Sequence, residues 1–294
     1  GSEKLTDKKI IELYRNFGFR KLKDISEVFK PDVIINTFPI LASLKLKNDQ
    51  GENIPVFNII TDYYVHKLWI SKEIDKFYIA TYELQEEFKK MNIPPEKIVV
   101  SGIPIRDAFE ETDNISKLHA KYNINRRKRI VLINSGAFGV FKDIKKVCTE
   151  LCKNKNIQVA VVCGNNIFQK TKLESLRLRN LKVFGFIEDI HELYKIACCM
   201  ITKPGGITLT EALSVQLPLI IIKPVPGQEK ENAIYFEKKG AAIIAYNSYQ
   251  IVNSTIDLIN NPELLSAMRK NMKKMHNKSS SDKIVDDVLG SLKE

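Results

Sequence analysis

No stretch of this sequence is apolar for the length that a membrane-spanning helix requires, and its opening residues lack the basic-then-apolar order of a signal peptide. Cysteine is scarce. Cys148, Cys152, Cys163, Cys198 and Cys199 show no zinc-ligand spacing. Cys148 and Cys152 would share one helix face, and the other three sit in apolar, strand-like runs. Reduced core cysteines are therefore expected, not a metal centre or a disulfide framework. Tryptophan occurs once, as Trp69, and suits an interfacial anchor, an acceptor-site wall or the core equally well. No basic stripe with interleaved aromatics and no nucleic-acid-binding module is present, so nucleic acid is not an expected partner.

Positive charge is abundant. Lys and Arg number 46 against 35 Asp and Glu, a formal net charge of +11. The excess is spread out, with local clusters at Arg126-Arg127-Lys128-Arg129 and at Arg269, Lys270, Lys273 and Lys274. An anionic membrane surface fits this better than nucleic acid.

Apolar runs alternate with amphipathic ones for nearly the whole length, the pattern of a parallel sheet covered by helices on both faces. Strands are expected at 33–38, 56–60, 77–80 and 98–101, with a helix at 82–91. A second series is expected at 130–135, 158–163, 181–184, 199–202, 219–222 and 241–244. Composition turns polar and charged between them. The reading is a first domain over 1–112, a linker at 113–128, a second domain over 129–261 and a helical tail over 262–294. In that tail Leu264, Leu265, Met268, Met272 and Met275 share one face. His119, His191 and His276 lie in charged or helical contexts and read as surface residues.

The richest motif is Lys203-Pro204-Gly205-Gly206-Ile207-Thr208-Leu209-Thr210-Glu211-Ala212. Gly205 and Gly206 follow an apolar strand, and a helix opens at Ile207-Thr208. Glycines there admit a ligand to the backbone, and the free N–H groups of a helix start suit a diphosphate. Glu211, one turn in, offers two oxygens to a vicinal diol such as a ribose; an acidic residue favoured by the helix dipole is the plainer alternative. The polar run Gln228 to Asn232 follows the next strand and offers groups that read sugar hydroxyls. Ser135-Gly136-Ala137-Phe138-Gly139 is a second glycine turn after a strand.

The ordered set of motifs resembles glycosyltransferase family 28, nearest its diacylglycerol glucosyltransferase and monogalactosyldiacylglycerol synthase branches. It runs from Pro31-Asp32-Val33-Ile34-Ile35-Asn36-Thr37-Phe38-Pro39 through Asn58-Ile59-Ile60-Thr61-Asp62, His66-Lys67-Leu68-Trp69 and Gly102-Ile103-Pro104-Ile105-Arg106. It continues through Ser135–Gly139 and Val162-Cys163-Gly164-Asn165-Asn166 to the Gly205-Gly206 motif, covering most of the chain.

The resemblance implies an α/β, GT-B fold: two Rossmann-like doubly wound domains facing a cleft, the first incomplete here. The family's opening strand and glycine-rich loop, with its His or Asn, have no counterpart after Gly1-Ser2. That departure implies a chain that binds donor and transfers poorly. The donor site would comprise Gly136, Phe186, Ile187, Gly205, Gly206, Thr208, Glu211, Gln228, Glu229 and Asn232. Phe186 and Ile187 would line the uracil, Glu211 the ribose, and Gln228 and Glu229 the hexose. Asp62 and His66 would serve the acceptor hydroxyl as base, a helix cap being the plainer role of Asp62. No metal or other cofactor is implied, and no Asp-x-Asp pair is present to hold one. The implied activity is transfer of glucose from UDP-glucose to diacylglycerol with inversion to a β-linkage, at the cytoplasmic face of the cell membrane. Alternatives are galactose transfer, a lipid-linked peptidoglycan precursor as acceptor, or a non-catalytic UDP-sugar sensor that binds a protein partner.

Overall fold

The computed structural model describes residues 18–134 and 143–292. The Ser135–Gly139 turn, with Gly136, lies outside the described residues. The chain divides into two compact units: residues to Pro104 together with those from Ser279 onward, and Ile105–Lys278. The first unit begins with α1 (Phe19–Phe29), β1 (Ile34–Asn36), β2 (Val56–Ile59), β3 (Lys76–Ile79), α2 (Tyr82–Lys90) and β4 (Ile98–Val100). The second holds α3 (Ile115–Lys121), β5 (Arg129–Asn134), α4 (Ile144–Cys152), β6 (Ile157–Val162), α5 (Ile167–Glu174), β7 (Leu181–Phe184) and α6 (Ile190–Ile196). It continues with β8 (Cys199–Thr202), α7 (Gly206–Ser214), β9 (Leu219–Ile222), α8 (Gln228–Lys238), β10 (Ala242–Ala245), α9 (Ser248–Asn260) and α10 (Pro262–Met275). Helix α11 (Ser280–Ser291) belongs to the first unit again.

Both sheets are parallel. The first runs β1-β2-β3-β4, and the second β10-β9-β8-β5-β6-β7. These are the two Rossmann-like α/β units that the resemblance implies. Their strands read as apolar runs because both faces are covered. Every residue of β2, β6 and β8 is buried, while β7, at a sheet edge, is only half-buried. The five cysteines are free thiols, four of them buried and Cys152 half-buried. Burial pushes the Cys163 and Cys152 thiols up to about 11.

The polar stretch 113–128 is not a bare connection. It carries α3, capped by the Asn114 side chain, which accepts from Ser116 N and Lys117 N at 3.2 and 3.4 Å. Tyr122, just beyond, packs edge-on against Phe184 at 5.8 Å within the second unit. Its polarity is that of a helix on the unit's surface. The stretch 262–294 divides likewise. In α10, Leu265, Met268 and Met272 are buried in the second unit, while Arg269, Lys270, Lys273 and Lys274 are exposed.

Helix α11 closes the first unit. Ile284 and Val288 pack with Phe57, Ile59 and Tyr78. Asp287 accepts from Lys76 Nζ at 2.9 Å and from the Tyr78 hydroxyl at 2.7 Å, and Lys76 also donates to Ser291 Oγ at 3.0 Å. Burial and the Asp287 carboxylate together push the Tyr78 hydroxyl up.

Two histidines expected at the surface are buried. His191 stacks edge-on against Phe109 at 5.9 Å, and His276 lies 3.2 Å from the Glu110 carboxylate. Both sit on the inward face of segments whose outward residues are charged. Trp69 is core, 1% exposed.

Candidate functional site

In the second sheet the chain turns one way from β5 to β7 and the other way from β8 to β10, so the order reverses between β5 and β8. Side chains beyond the carboxyl ends of these neighbouring strands border a crevice, where open α/β sheets bind ligands. The last residues, Asn134 of β5 and Thr202 of β8, are register partners. Gly205 and Gly206 follow three and four residues on.

Helix α7 opens at Gly206 with Gly205 as N-cap and no side chain capping it. The first backbone bond of the turn runs from Leu209 N to Gly205 O at 2.9 Å. The N–H groups of Gly206, Ile207 and Thr208 therefore have no acceptor among the described residues, the arrangement of an anion-binding helix start. Gly205 has φ −71°, which any residue adopts. A Cβ added there would meet only Thr208 Oγ1, at 4.0 Å. The chain itself does not demand glycine at this exposed position, so the space is open to a ligand. Asn232 is fully buried, and its Nδ2 donates to Pro204 O at 3.1 Å. That bond holds the turn from beneath.

Glu211 lies in the second turn of α7, past the reach of the helix-start dipole that would otherwise explain it. Burial raises its carboxyl to about 7, although the Arg106 guanidinium and a hydrogen bond from Tyr194 both favour the ionised form. Tyr194 is itself buried, and its hydroxyl accepts from Asn134 Nδ2 at 2.8 Å. Asn134 thus holds the Tyr194 hydroxyl across the strand-order reversal, where Tyr194 favours the ionised form of Glu211. Arg106 is held by donating from Nη1 to Glu188 O at 2.8 Å and by stacking over Phe109, 5.4 Å from the ring centre. A carboxylate fixed in this way accepts from a diol without first having to be ordered. Asn134, Tyr194 and Arg106 were not among the residues singled out from the sequence as donor ligands. They come from three separated segments and follow no common motif.

Gln228 and Glu229 are not loop residues. They begin α8 and are half-buried, and Glu229 Oε2 accepts from Val225 N at 3.4 Å. Gly227, the N-cap, has φ 103° and ψ −145°, a conformation closed to side-chain-bearing residues. That one residue turns the Pro224-Val225-Pro226 segment into the helix. The polar run reads as a loop in sequence because acidic residues favour a helix's first turn.

Phe186, after β7, is 71% exposed and so is not core; Ile187 is half-buried. Other large apolar side chains are exposed just past the ends of neighbouring strands: Ile167 and Phe168 after β6, Ile207 after β8 and Val225 after β9. Ile167 and Phe168 were not foreseen, since an apolar pair opening a helix normally packs inward. Together these residues give the carboxyl edge of the second sheet an apolar character next to the uncapped start of α7.

In the first unit, Asp62 follows β2 and is half-buried. The expected helix cap at Asp62 is instead His66, whose Nδ1 accepts from Leu68 N at 3.2 Å and starts the short turn Lys67–Trp69. A buried amide ladder holds this loop. Asn36 Nδ2 donates to Asn58 Oδ1 at 3.0 Å, and Asn58 Nδ2 donates to Trp69 O at 3.0 Å. His66 is exposed, with its other ring nitrogen available to an acceptor hydroxyl. Among the described residues no group of three or more His, Cys, Asp or Glu stands together as metal ligands, and no helix is long and apolar enough to cross a membrane.

Residues 1–105 match the model of monogalactosyldiacylglycerol (MGDG) synthase, and residues 135–287 that of the glycosyltransferase family 28 C-terminal domain. A relative from Bacillus cereus strain G9842, named processive diacylglycerol beta-glucosyltransferase, is 46% identical over 292 residues, covering 98% of this chain and 75% of its own. Among solved structures, UDP-GlcNAc 2-epimerase from Neisseria meningitidis, bound to UDP-GlcNAc, aligns with TM-score 0.71 and 18% identity over 92% of this chain and 80% of its own. MurG from Acinetobacter baumannii aligns with TM-score 0.65 and 16% identity over 92% and 77%. The two structures share the fold, and the relative and the family models share the sequence: this chain belongs to glycosyltransferase family 28.

Proposed function

We propose that the protein transfers glucose from UDP-glucose to the free hydroxyl of diacylglycerol, with inversion to a β-linkage, for membrane glycolipid synthesis. The name of the Bacillus cereus relative supports the reaction. The observation that carries the donor half is Glu211: a half-buried carboxyl whose ionised form Arg106 and Tyr194 both favour, lying on α7 just after an uncapped helix start. In this reading Glu211 accepts from the ribose hydroxyls. The N–H groups of Gly206, Ile207 and Thr208 take the diphosphate, with Gly136 of the other glycine turn beside it. Phe186 and Ile187 line the uracil, and Gln228 and Glu229 read the hexose. Asn232 supports the turn.

The acceptor oxygen attacks the anomeric carbon from the face opposite the diphosphate, and its proton passes to Asp62, with His66 beside it. The bond from the anomeric carbon to the diphosphate breaks, and its electron pair stays on the departing UDP. The helix start stabilises that charge, and no metal is needed. The enzyme would work as a peripheral protein at the cytoplasmic face of the membrane. The exposed charges Arg269, Lys270, Lys273 and Lys274 would meet anionic lipid, each contributing about 1 kcal/mol and screened by salt.

The match of residues 1–105 to the MGDG synthase model favours one second reading, galactose as the sugar. Incubation with radiolabelled UDP-glucose or UDP-galactose and dispersed diacylglycerol, followed by lipid extraction, separates the two. Label entering the lipid from UDP-glucose and little from UDP-galactose is the expected result. Label from neither, in a protein that binds UDP, would replace the enzyme by a sensor.

A further inference from the structure

The end of the second sheet away from Glu211 carries a separate cluster of charge. Two acid-free stretches meet there. The chain has no carboxylate between Asp113 and Asp143, and none between Glu174 and Glu188. The first supplies the turn before β5, and the second the turn into β7. Together they border a cavity of about 440 Å³, whose lining includes Arg126, Arg179, Lys182, His119, Asn123 and Gln158. That volume lies within the range of small-molecule sites. No carboxylate lines it, and among the described residues none pairs with Arg126, Arg179 or Lys182. Lys121, close by in sequence, by contrast sits 2.6 Å from Glu192.

The rim is held in place. Asn125 N donates to Gln158 Oε1 at 2.8 Å, and Gln158 is buried. Lys128 donates to Asn180 Oδ1, and Asn180 Nδ2 donates on to Cys152 O at 3.3 Å. The two bonds tie the Arg126 turn to β6 and to the residue next to Arg179. Three like charges gathered without a counter-charge repel one another and weaken the fold unless an anion joins them. Two guanidinium groups and an ammonium around a concave space suit the oxygens of a phosphate, which arginine binds with paired hydrogen bonds.

We propose that this cavity is a second anion site, which takes a phosphate group on Arg126, Arg179 and Lys182. It is distinct from the donor site. Strand β5 alone, Arg129–Asn134, separates the two ends by about 20 Å at ~3.3 Å per residue. The proposal does not depend on which sugar or acceptor the protein uses.

The test is calorimetric titration with inorganic pyrophosphate in saturating UDP, so that the α7 helix start is already occupied. Wild type should bind it, and Arg179→Gln/Lys182→Gln should bind at least about tenfold more weakly. Arg126→Gln should show the same direction with a smaller loss. Glu211→Gln, in the donor site, should bind pyrophosphate as wild type does. Arg126 and Arg179 are exposed and Lys182 is half-buried, and an unchanged thermal midpoint without ligand verifies that the variants fold. Vesicles of phosphatidylcholine with and without phosphatidylglycerol distinguish the source of the phosphate. Phosphatidylglycerol-dependent vesicle binding, lost in the double variant and displaced by pyrophosphate, assigns it to a lipid headgroup. Pyrophosphate binding without such vesicle binding assigns it to a soluble phosphate. Wild-type affinity in the double variant, or no binding by wild type under these conditions, overturns the proposal.

Discussion

The two units share a parallel sheet but differ in how far their candidate chemistry is built into the fold. The second sheet reverses its order between β5 and β8, and at that reversal the half-buried Glu211 carboxyl feels the Arg106 charge and Tyr194, whose hydroxyl accepts from Asn134. The first sheet runs β1-β2-β3-β4 without reversal, and its candidates lie on the loop after β2. Asp62 is half-buried on a loop, and His66 is exposed with Nδ1 already used as a cap. Prior ordering is thus concentrated where a nucleotide would bind. The group that would move a proton sits on a loop after β2, above the Asn36–Asn58–Trp69 ladder. Binding gains from rigidity before the ligand arrives, whereas a base needs only to reach its hydroxyl once the acceptor is present.

The largest expected effect falls on the first unit. Asp62→Asn should cut the transfer rate by roughly 10²–10⁴-fold, the range for a lost general base, while UDP affinity stays at the wild-type value. A fall in UDP affinity of similar size would break the division of labour between the units. Next comes Gly205→Ala, in the second unit. Its methyl would touch nothing closer than 4.0 Å within the chain, so the thermal midpoint should barely change. UDP affinity should still fall at least about tenfold, because the methyl occupies the diphosphate's approach to the helix start. Full UDP affinity in a stable Gly205→Ala protein would remove the ligand-based reason for that glycine. The smallest effect is expected at Gln228→Ala. UDP-glucose affinity should drop by about threefold to tenfold, the worth of one hydrogen bond, and UDP affinity should be unchanged. Equal losses for both ligands would move Gln228 from the sugar to the nucleotide.

The strands of both sheets were legible in the sequence because parallel strands covered on both faces must be apolar throughout, as Ile157–Val162 is. The glycine turn and Glu211 were legible because a strand, two glycines and a helix follow one another locally. What surrounds Glu211 was not. Arg106, Asn134 and Tyr194 meet it only through the folded sheet, and no spacing connects them. The return of α11 was hidden for the same reason, since Asp287 joins Tyr78 across 209 positions of sequence. Polarity misled in two places. At 113–128, expected as a linker, it marked a surface helix, and at Gln228 to Asn232, expected only as a polar run, the first turn of α8.

The account turns on Glu211 as the ionised acceptor of a preformed nucleotide site, and its raised pKa gives that idea a pH signature. Burial raises the carboxyl from 4.5 to about 7, so the unliganded fold prefers it protonated. The contribution of this group to stability is therefore undiminished at low pH and is lost as pH rises from about 4.5 through about 7, by on the order of 3 kcal/mol at pH 8. Glu211→Gln should escape that loss and melt higher than wild type at pH 8. UDP binding should run the other way, since the ribose hydroxyls need the ionised form. The decisive measurement is UDP affinity for wild type and Glu211→Gln, side by side, from about pH 5.5 to 8. At the upper end wild type should bind roughly 10–100-fold more tightly, and the gap should close as pH falls below about 7, with the titration of UDP itself common to both proteins. Equal affinities at pH 8, in a variant that is folded, would contradict the assignment of Glu211 to the nucleotide.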